Sequence, residues 1–374
     1  MRVERNHGMR RRRFLVRVVL GTGGILGSVS RGTAAADLPP EKVRDMEEKA
    51  RSFSAKYHVP GLSVAIAREG RIIYTGAFGV AEKNQPLTIH HLFRIASVSK
   101  PITSVMIFRL QELGRLKISD TVFGPRGILG SDFGSPPYSP HVDELTLEHF
   151  LTHTAGGWQN DGNDPMFSHP RMNHRELITW TLANRPLSHA PGENYAYSNF
   201  GFCLLGRVIE KVTGKPYAEA VQETVLKPCG ISTMRVGGNS RSERIAREVE
   251  YVDQNGSDPY GMNVRRMDSH GGWLATASDL VRFLVRADGF PNPPDILKPG
   301  TIQIMTTGSK ASAGYAKGWS VNRSNNWWHM GSLPGTTSIM VRTSSQYCWA
   351  ALASTRDTAS KMNGDLDRLM WEMI

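Results

Sequence analysis

The stretch Ser97-Val98-Ser99-Lys100-Pro101-Ile102-Thr103-Ser104-Val105-Met106 holds the only Ser-x-x-Lys of the chain. Apolar residues at Ile102, Val105, Met106, Leu110, Leu113 and Leu116 recur every three or four positions, the period of an amphipathic helix with one buried face. A proline is tolerated in a helix only within the first turn, so Pro101 sets the start of this one near Ser97. Three apart on such a helix, the Ser97 hydroxyl and the Lys100 amine are neighbours. The helix N-terminus favours an alkoxide, and Lys100 becomes a base if burial or nearby positive charge lowers its pKa. A capping serine beside a solvated lysine satisfies the same pattern, so a second motif has to decide between the two readings.

That second motif is Tyr197-Ser198-Asn199, the only Tyr-x-Asn, which follows the turn-forming run Ala190-Pro191-Gly192-Glu193. A tyrosine hydroxyl can move a proton between a nucleophile and a leaving group, and an asparagine amide can hold a substrate amide by both donor and acceptor. A third element is His329-Met330-Gly331-Ser332, placed before the strand-like run Thr336-Thr337-Ser338-Ile339-Met340-Val341, where a strand edge can align a substrate backbone.

With these motifs in place the sequence resembles the serine β-lactamase and penicillin-binding protein family, in the branch of class C β-lactamases, D-Ala-D-Ala carboxypeptidases, D-aminopeptidases and related esterases. The resemblance runs from about Leu62 to Ala353. It is carried in order by Phe93-Arg94-Ile95-Ala96-Ser97-Val98-Ser99-Lys100, Leu151-Thr152-His153-Thr154-Ala155-Gly156, Tyr197-Ser198-Asn199, Gly271-Gly272-Trp273-Leu274 and His329-Met330-Gly331. It implies Ser97 as nucleophile and Lys100 and Tyr197 as paired general base and acid. It also implies an oxyanion hole from the N–H groups of Ser97 and Ser332, and substrate binding by Asn199, His329, Met330 and Gly331. No cofactor and no metal follow from it.

One departure bears on substrate. Efficient β-lactam hydrolysing relatives carry Lys-Thr-Gly or Lys-Ser-Gly at the third element, whereas His329 and Met330 offer no hydroxyl donor there. The resemblance therefore implies a peptidase, amidase or esterase on a small-molecule or peptide substrate. The alternatives are a β-lactamase and a non-catalytic penicillin-binding sensor that acylates without turnover. No Gly-x-Ser-x-Gly occurs, so the nucleophile elbow of α/β-hydrolases is missing from the sequence. His149 and His153 are four apart, yet neither His-Glu-x-x-His nor Cys-x-x-Cys accompanies them.

The formal charge of +11 suggests a nucleic-acid partner until its placement is read. The first 36 residues hold eight arginines against Glu4 alone, which leaves only +4 for the rest and removes the case for nucleic acid. The cluster Arg10-Arg11-Arg12-Arg13 precedes Phe14-Leu15-Val16, a short apolar run and Ala34-Ala35-Ala36, the layout of a twin-arginine type export signal cleaved after Ala36. The apolar run is too short, and too interrupted by Arg17, to form a stable membrane span. An exported, periplasmic or secreted, enzyme is the expectation, and oligomeric state is not readable. Cys203, Cys229 and Cys348 are an odd number in apolar surroundings and read as unpaired core residues.

Beyond the signal, Pro40 to Tyr57 reads as a helix, and Leu62–Ala67 with Arg71–Gly76 as a hairpin. Helices and long polar loops follow, with Gly124 to Pro140 and Trp158 to Pro170 as loops. Strand patterns return at Gly318–Val321, Trp327–His329, Ser338–Val341 and Tyr347–Leu352, and Met362, Leu366, Leu369, Met370 and Met373 have helical spacing. The expected fold is α+β: an antiparallel sheet built from both chain ends (37–91 and 272–374), flanked by helices, with a mainly helical insertion (92–271) carrying the nucleophile.

Overall fold

The computed structural model describes residues 38–134 and 136–374; the expected export signal over residues 1–36 lies outside them. The first half comprises α1 (Pro40–Lys56), β1 (Gly61–Arg68), β2 (Arg71–Glu82), β3 (Gln85–Pro86), β4 (Phe93–Arg94), α2 (Ser99–Glu112), α3 (Leu147–Leu151), α4 (Pro165–Ser168) and α5 (His174–Asn184). The middle holds α6 (Asn199–Thr213), α7 (Tyr217–Val221), β5 (Arg235–Val236), β6 (Val252–Asp253), β7 (Trp273–Ala275) and α8 (Ala277–Leu284). The chain closes with α9 (Pro299–Thr306), β8 (Ser320–Val321), β9 (Trp327–Leu333), β10 (Thr336–Arg342), β11 (Tyr347–Ala353), β12 (Thr355–Arg356) and α10 (Met362–Met373).

Seven strands form one antiparallel sheet in the order β3-β2-β1-β11-β10-β9-β8, so the N-terminal hairpin joins the C-terminal meander through β1 and β11. The period-two alternation of a strand then sorts the side chains onto two faces. Leu62, Val64 and Ile66 of β1, Ile339 and Val341 of β10, and Trp349 and Ala351 of β11 face one cluster with Met46 and Phe53 of α1 and Met362, Leu366 and Met370 of α10. Ala65, Ala67, Met340, Ala350 and Leu352 face the opposite cluster, which runs on through α8 and α2 to Phe150, Leu177 and Phe200. Each fully buried Leu, Val or Ile contributes about 1.5–3 kcal/mol of transfer free energy, so the sheet is stabilised from both sides.

The helix after Ser97 departs from expectation in one respect. A single 3₁₀ turn (Ala96–Val98) leads into α2, which is not amphipathic: Ser99 through Phe108 and Leu110 are all buried, Lys100 among them. α2 is packed by α6, α7 and α9, and its buried polar side chains Lys100, Thr103 and Ser104 find hydrogen-bond partners inside the protein. Leu113 lies beyond its end and is 56% exposed. All three cysteines are free and buried. Among the described residues no helix is long and apolar enough to cross a membrane.

Candidate active site

Ser97 is positioned by the sheet. Ser338 Oγ of β10 donates to the Ile95 carbonyl at 2.7 Å, Thr336 Oγ1 donates to the Arg94 carbonyl at 2.8 Å, and Ile95 N–H donates to Trp273 of β7 at 3.0 Å. Between this pinned segment and α2, Ala96 takes φ +48°, a left-handed turn uncommon for a residue with a Cβ. The turn leaves Ser97 partly exposed while Ala96 and Val98 on either side are buried.

Lys100 lies one turn on, fully buried, with Nζ 3.1 Å from Ser97 Oγ, 2.8 Å from Asn199 Oδ1 and 3.0 Å from the His270 carbonyl. Burial pulls its pKa well below the ordinary lysine range, opposed by the charge of Asp164. A neutral amine has two N–H donors and one lone pair. Asn199 Oδ1 and the His270 carbonyl can only accept, so they take the two donors and leave the lone pair facing the Ser97 hydroxyl.

Tyr197 and Asn199 flank the N-cap of α6. Ser198 Oγ accepts from Gly201 N–H at 3.0 Å and donates to the Trp158 carbonyl at 2.7 Å, which ties the helix start to the 158–170 segment. Lys100 Nζ stands 4.7 Å over the Tyr197 ring. Burial raises the Tyr197 phenol above its usual range and the Ser97 hydroxyl beside it partly offsets this, so the phenol holds its proton. Asn199 departs from the expected open clamp: besides Lys100, its Nδ2 donates to Asp164 Oδ2 at 2.9 Å and Asn160 Oδ1 at 3.1 Å. Both ends of its amide are engaged by protein groups.

The third element separates by strand parity. His329, Gly331 and Leu333 face the Ser97 turn, while Met330 projects from the opposite face of β9 and packs against the cluster of α1 and α10. The expectation that Met330 binds substrate is corrected accordingly: its side chain is on the wrong side of the sheet. His329 reaches the site through a residue not singled out from sequence, Tyr315. His153 Nδ1 accepts from Ser198 N–H at 3.1 Å, which puts its ring proton on Nε2, 3.1 Å from Tyr315 Oη. His329 Nδ1 lies 2.7 Å from the Met330 carbonyl and must donate, so its Nε2 accepts from the Tyr315 hydroxyl at 3.1 Å. Burial, reinforced by Lys100, brings the His329 pKa down to about 3 and holds His153 far below its usual value. Both imidazoles are neutral, so His329 itself supplies no cation; the charged side chain that lines the cleft with Ser332 is Arg356, whose Nε donates to Asp253 Oδ1 at 2.9 Å.

Ser97, Asn199, Asn160, His270 and Ser332 line one cleft of about 460 Å³, walled on another side by Phe167, Met262, Met267 and Leu333. Ser97 and Ser332 thus face a common space, as an oxyanion hole requires. Sequence reasoning missed Asn160, Asp164 and Tyr315. The first two lie in a polar loop whose length was its only signal, and Tyr315 lies in a loop before β8.

Three kinds of similarity bear on the fold and family of the chain. A solved structure of D-amino acid amidase from Ochrobactrum anthropi SV3 complexed with L-phenylalanine amide superposes with a TM-score of 0.72, at 21% identity over 89% of this chain and 97% of that one, and shows the same β-lactamase/transpeptidase fold. Penicillin-binding protein 4* of Bacillus subtilis (strain 168) is 29% identical over 308 residues, 75% of this chain and 64% of the relative. Esterase EstB of Burkholderia gladioli is 34% identical over 213 residues, 52% of this chain and 50% of the relative, so the chain spans less than two thirds of either curated relative. The family model described as Beta-lactamase matches residues 46–370, and the chain belongs to that family.

Proposed function

We propose that this chain is an exported serine hydrolase that cleaves amide or ester bonds through an acyl-enzyme on Ser97. The observation that carries the reading is Lys100 Nζ at 3.1 Å from Ser97 Oγ in a fully buried setting, with its other two neighbours able only to accept. Ser97 Oγ attacks the substrate carbonyl as its proton passes to Lys100. The N–H groups of Ser97 and Ser332 take the oxyanion, a contact whose loss in acyl-transfer enzymes costs about 2.7–4 kcal/mol. Tyr197 donates its retained phenolic proton to the leaving amine or alcohol as the substrate C–N or C–O bond breaks, and regains a proton from Lys100. Water then attacks the acyl-enzyme, giving up one proton, and releases the acid with the Ser97 hydroxyl restored.

The names of two relatives, an esterase and a D-amino acid amidase, support esterase and amidase chemistry, while the D-Ala-D-Ala carboxypeptidase or D-aminopeptidase reading rests on the resemblance of the sequence motifs. His329 and Met330 themselves give a drug carboxylate neither cation nor hydroxyl, and Arg356, which lines the cleft, is already paired with Asp253 at 2.9 Å, which favours these over efficient β-lactam hydrolysis. Export through the arginine-rich residues 1–36, with cleavage after Ala36, and the division into 37–91 with 272–374 and 92–271 belong to the same proposal.

Intact-protein and peptide mass spectrometry after exposure to a fluorophosphonate or a penicillin should place the adduct on Ser97. An adduct on another residue, or none with either probe, refutes the assignment. A panel of D-Ala-D-Ala peptide, D-amino-acid amide, short-chain p-nitrophenyl ester and nitrocefin then separates the substrate classes.

A further inference from the structure

We infer that Asp164 is a positioning residue that holds the Asn199 amide in the one orientation in which Lys100 can accept the Ser97 proton. The inference rests on the proposed role of Ser97 and Lys100.

Asp164 caps α4 and is 1% exposed. Its Oδ1 accepts from Met166 N–H at 2.8 Å and its Oδ2 accepts from Asn199 Nδ2 at 2.9 Å. The second hydrogen of that Nδ2 goes to Asn160 Oδ1 at 3.1 Å. Two acceptors on one side of Asn199 therefore fix which end of its amide is nitrogen, and the oxygen is left facing Lys100 at 2.8 Å.

The polarity matters because an amide is nearly symmetric in shape and opposite in function at its two ends. With oxygen toward Lys100, the amine donates to it and keeps its lone pair for Ser97. With nitrogen toward Lys100, an Asn199 N–H would donate into that lone pair, and the base would be occupied before the substrate arrives. Nothing in Lys100 itself forbids the second arrangement. Asp164, whose carboxylate can only accept, forbids it, and Asn160 follows with its oxygen toward the same Nδ2.

The groups facing Asp164 are Asp161 on its own segment, Lys100 from α2, Tyr197 beside α6, and Arg266 from the turn before β7. Burial raises the Asp164 pKa to about 6, against the Asn199 and Met166 hydrogen bonds and Lys100, which lower it. Protonation places a donor where Asn199 needs an acceptor, so acid has the same effect as losing the carboxylate. The carboxylate also raises the pKa of Lys100 from across Asn199.

Asp164→Asn tests this cleanly. Asparagine is nearly isosteric and caps a helix equally well. It has only one acceptor, and the Met166 N–H claims it, so the new amide turns its NH₂ toward Asn199 and favours the flipped state. The measurement is the rate of Ser97 labelling of the full chain by a fluorophosphonate, followed by intact mass from pH 5 to 9. In that step the Ser97 Oγ–P bond forms, the P–F bond breaks with fluoride leaving, and the serine proton passes to Lys100 and then to solvent.

We expect Asp164→Asn to melt like wild type, to label about 100-fold more slowly on the pH plateau, and to show its acid limb at lower pH because Lys100 has lost a nearby anion. Labelling within threefold of wild type, or an unmoved limb, overturns the inference. Absence of a Ser97 adduct in the wild type overturns the Ser97 reading and this inference with it. If Asp164→Asn does not fold, Asp164→Ser, which still caps α4 but is too short to reach Asn199, should show the same loss, and wild-type labelling there also overturns it.

Discussion

Gly331 runs so close to Ile95 that a Cβ on it would overlap the Ile95 carbonyl oxygen and Ser338 Oγ and stand 3.0 Å from the Ala96 Cβ. The backbone of β9 therefore rests directly on the turn that presents Ser97, and the absence of a side chain at 331 sets the spacing between the two proposed oxyanion donors. Gly331→Ala should destabilise the fold by about 1–3 kcal/mol through overpacking. Ser97 labelling should slow about 100-fold as the turn and the strand move apart by about 1 Å. Thermal melting together with fluorophosphonate labelling checks both, and normal labelling would show that the strand can yield without disturbing Ser97.

Met330 gives a second expectation because it occupies the far face of the sheet. A threonine there cannot offer its hydroxyl to a substrate in the cleft, and it removes apolar contact with the α1 and α10 cluster. Met330→Thr should cost about 1–2 kcal/mol of stability and leave nitrocefin turnover unchanged. A rise of more than threefold in nitrocefin hydrolysis would place the side chain in the site after all.

Tyr315 bridges two buried imidazoles, and Tyr315→Phe leaves His153 Nε2–H and His329 Nε2 without partners. An orphaned buried polar group costs about 1–3 kcal/mol, so the melting temperature should fall by several degrees, more than a surface Tyr→Phe change causes. His329→Gln separates the roles by pH. The His329 pKa falls from 6.5 in the unfolded chain to about 3 in the fold, so the unfolded state binds the extra proton between those values. Its neutrality costs nothing above pH 6.5, and stability is lost as pH falls from there toward 3. The glutamine variant should therefore lose less stability than wild type between pH 6.5 and 4.5 in urea titrations. Parallel curves would mean that His329 is already charged in the fold.

The parts legible in the sequence are those whose residues lie close along the chain. The short apolar runs Leu62–Ala67 and Tyr347–Leu352 read as strands, and the structure pairs them in one sheet. Ser97 and Lys100 are neighbours because one helical turn makes them so. What stayed hidden depends on distant segments meeting. Asp164 and Asn160 reach Asn199 across a loop, and Tyr315 joins His153 to His329 from 162 and 14 residues away. The helical period of Ile102, Val105, Met106 and Leu110 predicts the helix that forms, but period alone cannot tell a half-buried helix from one enclosed on every side. Met330 is misplaced by a reading that assigns neighbouring strand residues to one site, because parity along β9 sends His329 and Met330 to opposite faces.

Lys100 supplies the last prediction. A lysine neutral in the fold and protonated in the unfolded chain makes stability depend on pH with a fixed sign. Between its depressed folded pKa and about 10.5 the unfolded state binds one more proton, so stability rises with pH by about 1.4 kcal/mol per unit and is lost as pH falls through that window. Lys100→Met removes this slope. It also leaves Asn199 Oδ1 and the His270 carbonyl without their donor, a cost that does not vary with pH in this range. The stability difference between wild type and Lys100→Met, measured by urea unfolding at several pH values from 6 to 9, should therefore grow in favour of wild type as pH increases. The variant should label Ser97 at least ~1000-fold more slowly at every pH, since nucleophile and base act as one unit. A pH-independent stability difference would mean that Lys100 carries its proton in the fold. Its three neighbours would then all accept from an ammonium, and it could not be the base that activates Ser97.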